Sequence, residues 1–141
     1  MPTTALKTAL KPALLPVVRV PEAAPFVKWV GGKRSLMPTI AARIPQRFNT
    51  YHEPFVGGGA VFFALQPERS SLADDNAELV NAYKTVRDDV ETLIRHLRSH
   101  LAEEEYYYVL RAKDPSTLDA VERASRLIYL NRTCFNGLYR V

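Results

Sequence analysis

Three consecutive glycines, Gly57-Gly58-Gly59, join two short apolar stretches of different character, and this junction restricts the fold more than any other part of the chain. Residues 48–53 read as a short strand stopped by Pro54. Residues 60–65, Ala-Val-Phe-Phe-Ala-Leu, read as the start of a helix ended by Pro67. Residues 70–73 form a second strand candidate, closed by Asp74-Asp75-Asn76. Strand, glycine turn, helix, strand and acidic turn is the opening of a parallel α/β sheet, in which a helix carries the chain between parallel neighbours.

The rest of the chain reads as largely helical. Residues 35–43 are a short helix candidate, with Pro38 tolerated in its first turn and Pro45 closing it. After the second strand, Asp75 is the expected helix cap, with Glu78 as its reciprocal partner, and Leu79, Val80 and Tyr83 supply an apolar side. Residues 90–101 place Leu93, Ile94, Leu97 and Leu101 on one stripe, and residues 103–113 continue as helix up to the break at Asp114-Pro115-Ser116. Ser116 or Thr117 is the expected cap of a last helix, in which Val121, Ala124, Leu127 and Ile128 recur at helical spacing. Residues 131–141 read as irregular, with a turn at Asn136-Gly137. The fold class expected is therefore α/β: the beginning of a Rossmann-like sheet, truncated and followed by a helical insert. In domain terms, residues 1–25 are a flexible, proline-containing extension, 26–130 a partial ligand-binding domain, and 131–141 the start of a further region.

The segment Glu53-Pro54-Phe55-Val56-Gly57-Gly58-Gly59 occupies the strand-to-helix position where α/β folds bind nucleotides. Glycines let the backbone approach a ligand and adopt positive φ, and the new helix brings amides. Asp74, 17 residues beyond Gly57, stands where an acid accepts hydrogen bonds from ribose hydroxyls. The glycines are consecutive rather than spaced as GxGxxG, and a carboxylate, Glu53, precedes them. That pattern suits a ligand with an ammonium or sulfonium charge better than one with a pyrophosphate. The plain alternative is a glycine turn whose acids cap helices.

Lys28-Trp29-Val30-Gly31-Gly32-Lys33 is a second candidate, with Lys33 for a carboxylate or anion and Trp29 for an adenine face. A core tryptophan flanked by solvated lysines explains the same residues. It is not a phosphate-binding P-loop, since GxxxxGK followed by Ser or Thr is absent. The third candidate contains Asn131, Arg132, Phe135, Asn136 and Arg140: a turn with guanidiniums for phosphates, an amide for a base edge and an aromatic ring. A helix end followed by a polar turn is its bland counterpart. Tyr106, Tyr107 and Tyr108 cannot share one helix face, so one should be exposed while another packs inward.

With 141 residues and 47 % hydrophobic content, the chain can build one core. A net charge of +4 is compatible with a polyanionic partner without requiring one. Cys134 is the only cysteine, which excludes an internal disulfide and a cysteine-rich metal site. His96 and His100 read as solvated helix residues rather than metal ligands. No apolar run approaches membrane-spanning length, and a cytoplasmic location is expected.

Taken in order, these segments resemble the Dam-type, D12 class, adenine-specific DNA methyltransferases. In that family a KWxGGK segment precedes an ExFxGxG segment, matched here by residues 28–33 and 53–59. Residues 72–79, continued by Asn81-Ala82-Tyr83, resemble its second-strand segment, and residues 130–140 the stretch entering its DNA-recognition region. The similarity runs from about Phe26 to the last residue. It implies S-adenosylmethionine as cofactor, with Trp29, Gly32, Lys33, Glu53, Phe55, Gly57 and Gly59 forming the pocket and Asp74 holding the ribose. It implies double-stranded DNA as partner, met by Arg132, Phe135, Asn136 and Arg140, and methyl transfer to adenine N6 after base flipping.

One family segment has no counterpart. The Asp/Asn-Pro-Pro-Tyr/Phe run that holds the target adenine does not occur in these 141 residues, where prolines such as Pro54 and Pro115 are isolated. In the family it lies beyond the recognition region, so no catalytic residue is assigned. The expectation is an amino-terminal portion of such an enzyme, inactive alone. The alternatives are a cofactor-binding subunit completed by a second chain, or a decayed fragment. A DNA-binding module without cofactor and an NAD- or ATP-binding enzyme fit the residues less well.

Overall fold

The computed structural model describes residues 23–137 and Tyr139. The expected amino-terminal extension thus lies almost wholly outside the described residues, as does Arg140.

Two strands, β1 (Tyr51–Glu53) and β2 (Ser70–Leu72), pair in parallel, with Tyr51 opposite Ser70 and Glu53 opposite Leu72. Both are shorter than the extended stretches in the sequence, because each is defined only over the three residues that face a partner. A 3-10 turn at Lys33–Leu36 leads into α1 (Met37–Ala41), where the sequence suggested one helix; Pro38 sits at its start, where no amide bond is lost. Helix α2 (Ala60–Leu65) connects the strands with the bounds the sequence implied, and its end at Gln66 is left-handed with φ 44. The result is a mixed helix and strand structure with a small parallel sheet.

Four helices follow: α3 (Ala77–Asp88), α4 (Val90–Arg98), α5 (Glu104–Ala112) and α6 (Ala120–Thr133). Two caps differ from expectation. Asn76, not Asp75, caps α3: its Oδ1 accepts from Leu79 N at 2.9 Å, while Asp74 Oδ1 accepts from Asn76 N and fixes where the helix begins. Ser116 and Thr117 belong to a separate 3-10 turn capped by Asp114. Helix α6 starts instead with a capping box, in which Asp119 accepts from Glu122 N and Glu122 from Asp119 N.

Helix α6 is central, packing against α3, α4 and α5. It continues as helix to Thr133, so residues 131–133 are regular where the sequence read as irregular. Its buried residues extend well past the Val121–Ile128 stripe, to Ser125, Arg126, Tyr129, Leu130 and Asn131. The main core joins Val27, Leu79, Ala82, Leu93, Ala124 and Leu127, and a second cluster joins Leu110, Tyr129 and Leu130. Tyr106 and Tyr107 pack against that second cluster while Tyr108 is exposed, as helix geometry required.

His100 is not a solvated helix residue. It lies just past α4, with one ring nitrogen 2.6 Å from Tyr106 Oη and the other 2.7 Å from Ser125 Oγ. Burial, then the charges of His96 and Lys113, lowers its pKa and favours the neutral imidazole. It serves as a strut between α5 and α6. Among the described residues no helix is long and apolar enough to cross a membrane, and no cluster of His, Cys, Asp and Glu has metal-site geometry.

Candidate functional site

The site is built where β1 ends. Glu53, only 5 % exposed, receives two donors: the ammonium of Lys33 at 3.0 Å and the hydroxyl of Tyr51 at 2.7 Å. Lys33 Nζ also donates to Phe55 O. One lysine thus ties residues 28–33 to the strand end and to the loop after it. Burial, then the hydrogen bond to Glu53, raises the Tyr51 hydroxyl above its ordinary range and keeps it a donor.

The glycine turn is held from both sides. Asp74 Oδ2 accepts from Gly57 N at 2.8 Å, and Val56 N and Ala73 N continue the pairing of the strands through the turn, to Ala73 O and Glu53 O at 2.9 Å each. Gly57 and Gly59 have φ of 50 and 73, the left-handed region. A Cβ on Gly57 would lie 3.1 Å from Trp29 Cδ1, and one on Gly58 3.5 Å from Trp29 Cβ, so the tryptophan rests on the turn. On the other side Tyr83 donates to Gly57 O at 3.1 Å, and a Cβ on Gly59 would lie 2.5 Å from its hydroxyl oxygen. Burial is the main reason the Tyr83 hydroxyl is raised and stays protonated, with the charges of Glu53 and Asp74 adding to it. Tyr83 read in the sequence as part of an apolar helix face and of a family-like segment, with no partner for its hydroxyl. Its role needed the distance to Gly57, a residue 26 positions away.

A cavity of about 320 Å³ opens beside the turn, walled by Trp29, Gly32, Lys33, Val56, Gly58 and Arg132. That size is at the lower end for small-molecule sites. The expected cofactor set is thus brought together around one turn. Trp29, Gly32 and Lys33 line the cavity, Glu53 anchors Lys33, Asp74 braces Gly57, and Phe55 is exposed to solvent outside the cavity lining. A larger hollow of about 590 Å³, walled by Tyr107, Tyr108, Tyr129, Cys134 and Phe135 among others, contains none of these residues.

Of the expected DNA-facing residues, Arg132 lies in the last turn of α6, and Phe135 and Asn136 follow that helix. Phe135 is 84 % exposed, and Asn136 and Gly137 form the left-handed turn that the Asn-Gly pair implied, with φ of 55 and 69. Arg132 bridges the two regions, donating to Phe26 O at 3.3 Å while lining the cavity beside Trp29. Asn131, which the sequence offered as a base-pairing amide, is instead fully buried and bonded to backbone.

Residues 29–141 match the family model of the D12 class N6 adenine-specific DNA methyltransferases. The chain is 46 % identical to the "Type II methyltransferase M1.LlaDCHI" of Lactococcus lactis subsp. cremoris, over 83 % of this chain and 43 % of the relative. It is 40 % identical to the "Type II methyltransferase M.MjaIII" of Methanocaldococcus jannaschii, over 85 % and 49 % respectively. With the "DNA adenine methylase" of Haemophilus influenzae it shares 37 % identity over 95 % of this chain and 46 % of the relative. The chain therefore spans just under half the length of these curated relatives. With the family model covering most of its residues, the chain belongs to the D12 class of N6 adenine-specific DNA methyltransferases, an enzyme family.

Proposed function

We propose that this chain is the S-adenosylmethionine-binding portion of an enzyme that methylates adenine N6 in double-stranded DNA, with its sheet the opening of a Rossmann-like fold. Residues 26–130 form the cofactor-binding part and 131–141 begin the DNA-recognition region. The observation carrying this reading is the closure of three dispersed segments on one turn: Lys33 on Glu53, Asp74 on Gly57, and Trp29 on Gly57 and Gly58.

The residue types fit the cofactor. Trp29 offers a flat apolar face for an adenine or methionine group, and Gly32 and Gly57 lack the Cβ that would crowd its indole or its carbonyl. Lys33 places a cation at the cavity wall for the cofactor's carboxylate, and Glu53 balances and orients that ammonium. Phe55 and Gly59 shape the turn. Both Asp74 oxygens accept from backbone amides, which aims the carboxylate and leaves further lone pairs for ribose hydroxyls. When bound, S-adenosylmethionine supplies an activated methyl group, and the chain's own residues orient it.

DNA is met by Arg132, Phe135, Asn136 and Arg140: guanidiniums on phosphates, an amide at a base edge, and an exposed ring that can stack. No Asp/Asn-Pro-Pro-Tyr/Phe segment exists among the 141 residues to hold the extruded adenine. The 141-residue polypeptide by itself is accordingly expected to transfer no labelled methyl group from S-adenosylmethionine to duplex DNA. Transfer by homogeneous chain would overturn that part of the reading. A second reading, a subunit completed by another chain, would be supported if a separate polypeptide carrying that segment restored transfer on mixing.

A further inference from the structure

Asn131 stands in the last turn of α6 with 0 % exposure. A buried amide has to satisfy its donors and acceptor within the protein, and here they reach two segments remote from each other in sequence. Oδ1 accepts from Lys28 N at 2.9 Å; Nδ2 donates to Lys28 O at 2.7 Å and to Gly137 O at 3.2 Å. Holding both the N–H and the C=O of one residue fixes the rotation of the peptide units around Lys28, as a paired strand would. The bond to Gly137 ties the Phe135–Gly137 turn to the same point.

The contacts continue on both sides. Gly137 lies so close that an added Cβ would sit 2.6 Å from Lys28 Cδ and 3.0 Å from Lys28 Cβ. In the other direction the next residue, Trp29, rests on the cofactor turn at Gly57 and Gly58. The neighbour of Asn131, Arg132, adds a tie to Phe26 O. An unbroken run of packed groups therefore leads from Gly57 through Trp29, Lys28 and Asn131 to Gly137.

We infer that Asn131 is a positioning residue that sets residues 28–33 and the Phe135–Gly137 turn in one register, so that cofactor and duplex bind with positive linkage. The inference rests on the functional reading above. A ligand seated against Trp29 and Lys33 bears on the Lys28 backbone, and through one amide on the turn that meets DNA, so each ligand favours the arrangement that the other binds.

The test is a thermodynamic box on the full chain. The affinity of a fluorescein-labelled, mixed-sequence DNA duplex is measured with and without saturating S-adenosylmethionine, and cofactor affinity with and without duplex. Wild type should show each ligand tightening the other by the same factor, at least about fivefold, the lower end of common coupling. Asn131→Asp keeps the acceptor for Lys28 N and loses both donations, and should bring the factor towards one while each ligand still binds. Should that variant fail to fold, Gly137→Ala, which leaves Asn131 intact but pushes the turn off Lys28, should abolish linkage in the same way. Both ligands binding wild type without linkage, or linkage surviving in the folded variants, overturns this inference alone. Failure of wild type to bind either ligand overturns the functional reading and the inference with it.

Discussion

Gly59→Ala should destabilise the protein by about 2–5 kcal/mol in urea unfolding, combining backbone strain with overpacking. The residue has φ 73, and left-handed geometry costs a residue with a Cβ about 1–2 kcal/mol. The methyl group would also lie 2.5 Å from the Tyr83 hydroxyl oxygen and 2.9 Å from the Phe63 ring edge. Neither can yield freely: Tyr83 is bonded to Gly57 O, and Phe63 packs edge-on to Phe26 and stacks on Tyr83. Relief requires moving a ring or breaking that bond, at about 1–3 kcal/mol for a crowded core. Gly31 is the internal control, with φ 72 and nothing within 4 Å of an added Cβ. Gly31→Ala should therefore show the strain alone, about 1–2 kcal/mol. Equal effects at the two glycines would contradict the claim that Tyr83 and Phe63 brace the glycine turn.

Arg126→Met should cost about 2–4 kcal/mol, with one buried and one part-buried carbonyl losing the guanidinium as donor. Arg126 is 1 % exposed, and no carboxylate pairs with it among the described ion pairs. Its guanidinium instead donates to Leu110 O at 2.9 Å, to Arg111 O at 2.6 Å and to Tyr139 Oη at 3.2 Å. Leu110 and Arg111 are in the last turn of α5; Leu110 O also accepts from Lys113 N at 3.4 Å, and the cation from α6 adds a second, shorter bond there, bonds Arg111 O and offsets the helix's negative end. Methionine keeps much of the apolar stem, so the loss reports on hydrogen bonding more than on volume. Relieving the desolvation of a buried cation recovers part of the loss, which holds the expected value below the full sum of three bonds. A change under about 1 kcal/mol in urea unfolding would show that water takes over the two carbonyls.

These two residues mark the boundary between what was legible in the sequence and what was not. The glycine run announced the turn, because glycine adopts positive φ at the lowest cost of any residue. Alternating strand, turn and helix signals placed β1, α2 and β2 in order, with α2 matched to the residue. Asn136-Gly137 announced a left-handed turn for the same reason. Local chemistry was less decisive where neighbours competed. Asp75 and Asn76 are equally good caps by type, and the choice fell to Asn76 because Asp74 already held its amide.

The long-range polar groups were invisible. The stripe Val121, Ala124, Leu127, Ile128 describes a helix with one buried side, whereas α6 is covered by α3, α4 and α5. That coverage is what buries Arg126 and Asn131, and the partners of each belong to other parts of the chain. His100 was misread for the same reason, since Ser125 is 25 residues away. Of the residues that meet around the turn, Glu53, Lys33, Gly57 and Asp74 were singled out from type and order. Tyr83 and Tyr51, which hold that set in place, were not, because an aromatic on an apolar face carries no local sign of a hydroxyl partner.

The central claim is that the turn after β1 is an S-adenosylmethionine site, and isothermal titration of the purified chain with that cofactor tests it most directly, alongside Asp74→Ala shown to be folded by circular dichroism. The account predicts saturable binding by wild type and at least a tenfold loss in the variant, about 1.4 kcal/mol, since Asp74 orients Gly57 and is the acceptor proposed for the ribose hydroxyls. No binding by folded wild type, or equal binding by both proteins, would contradict it.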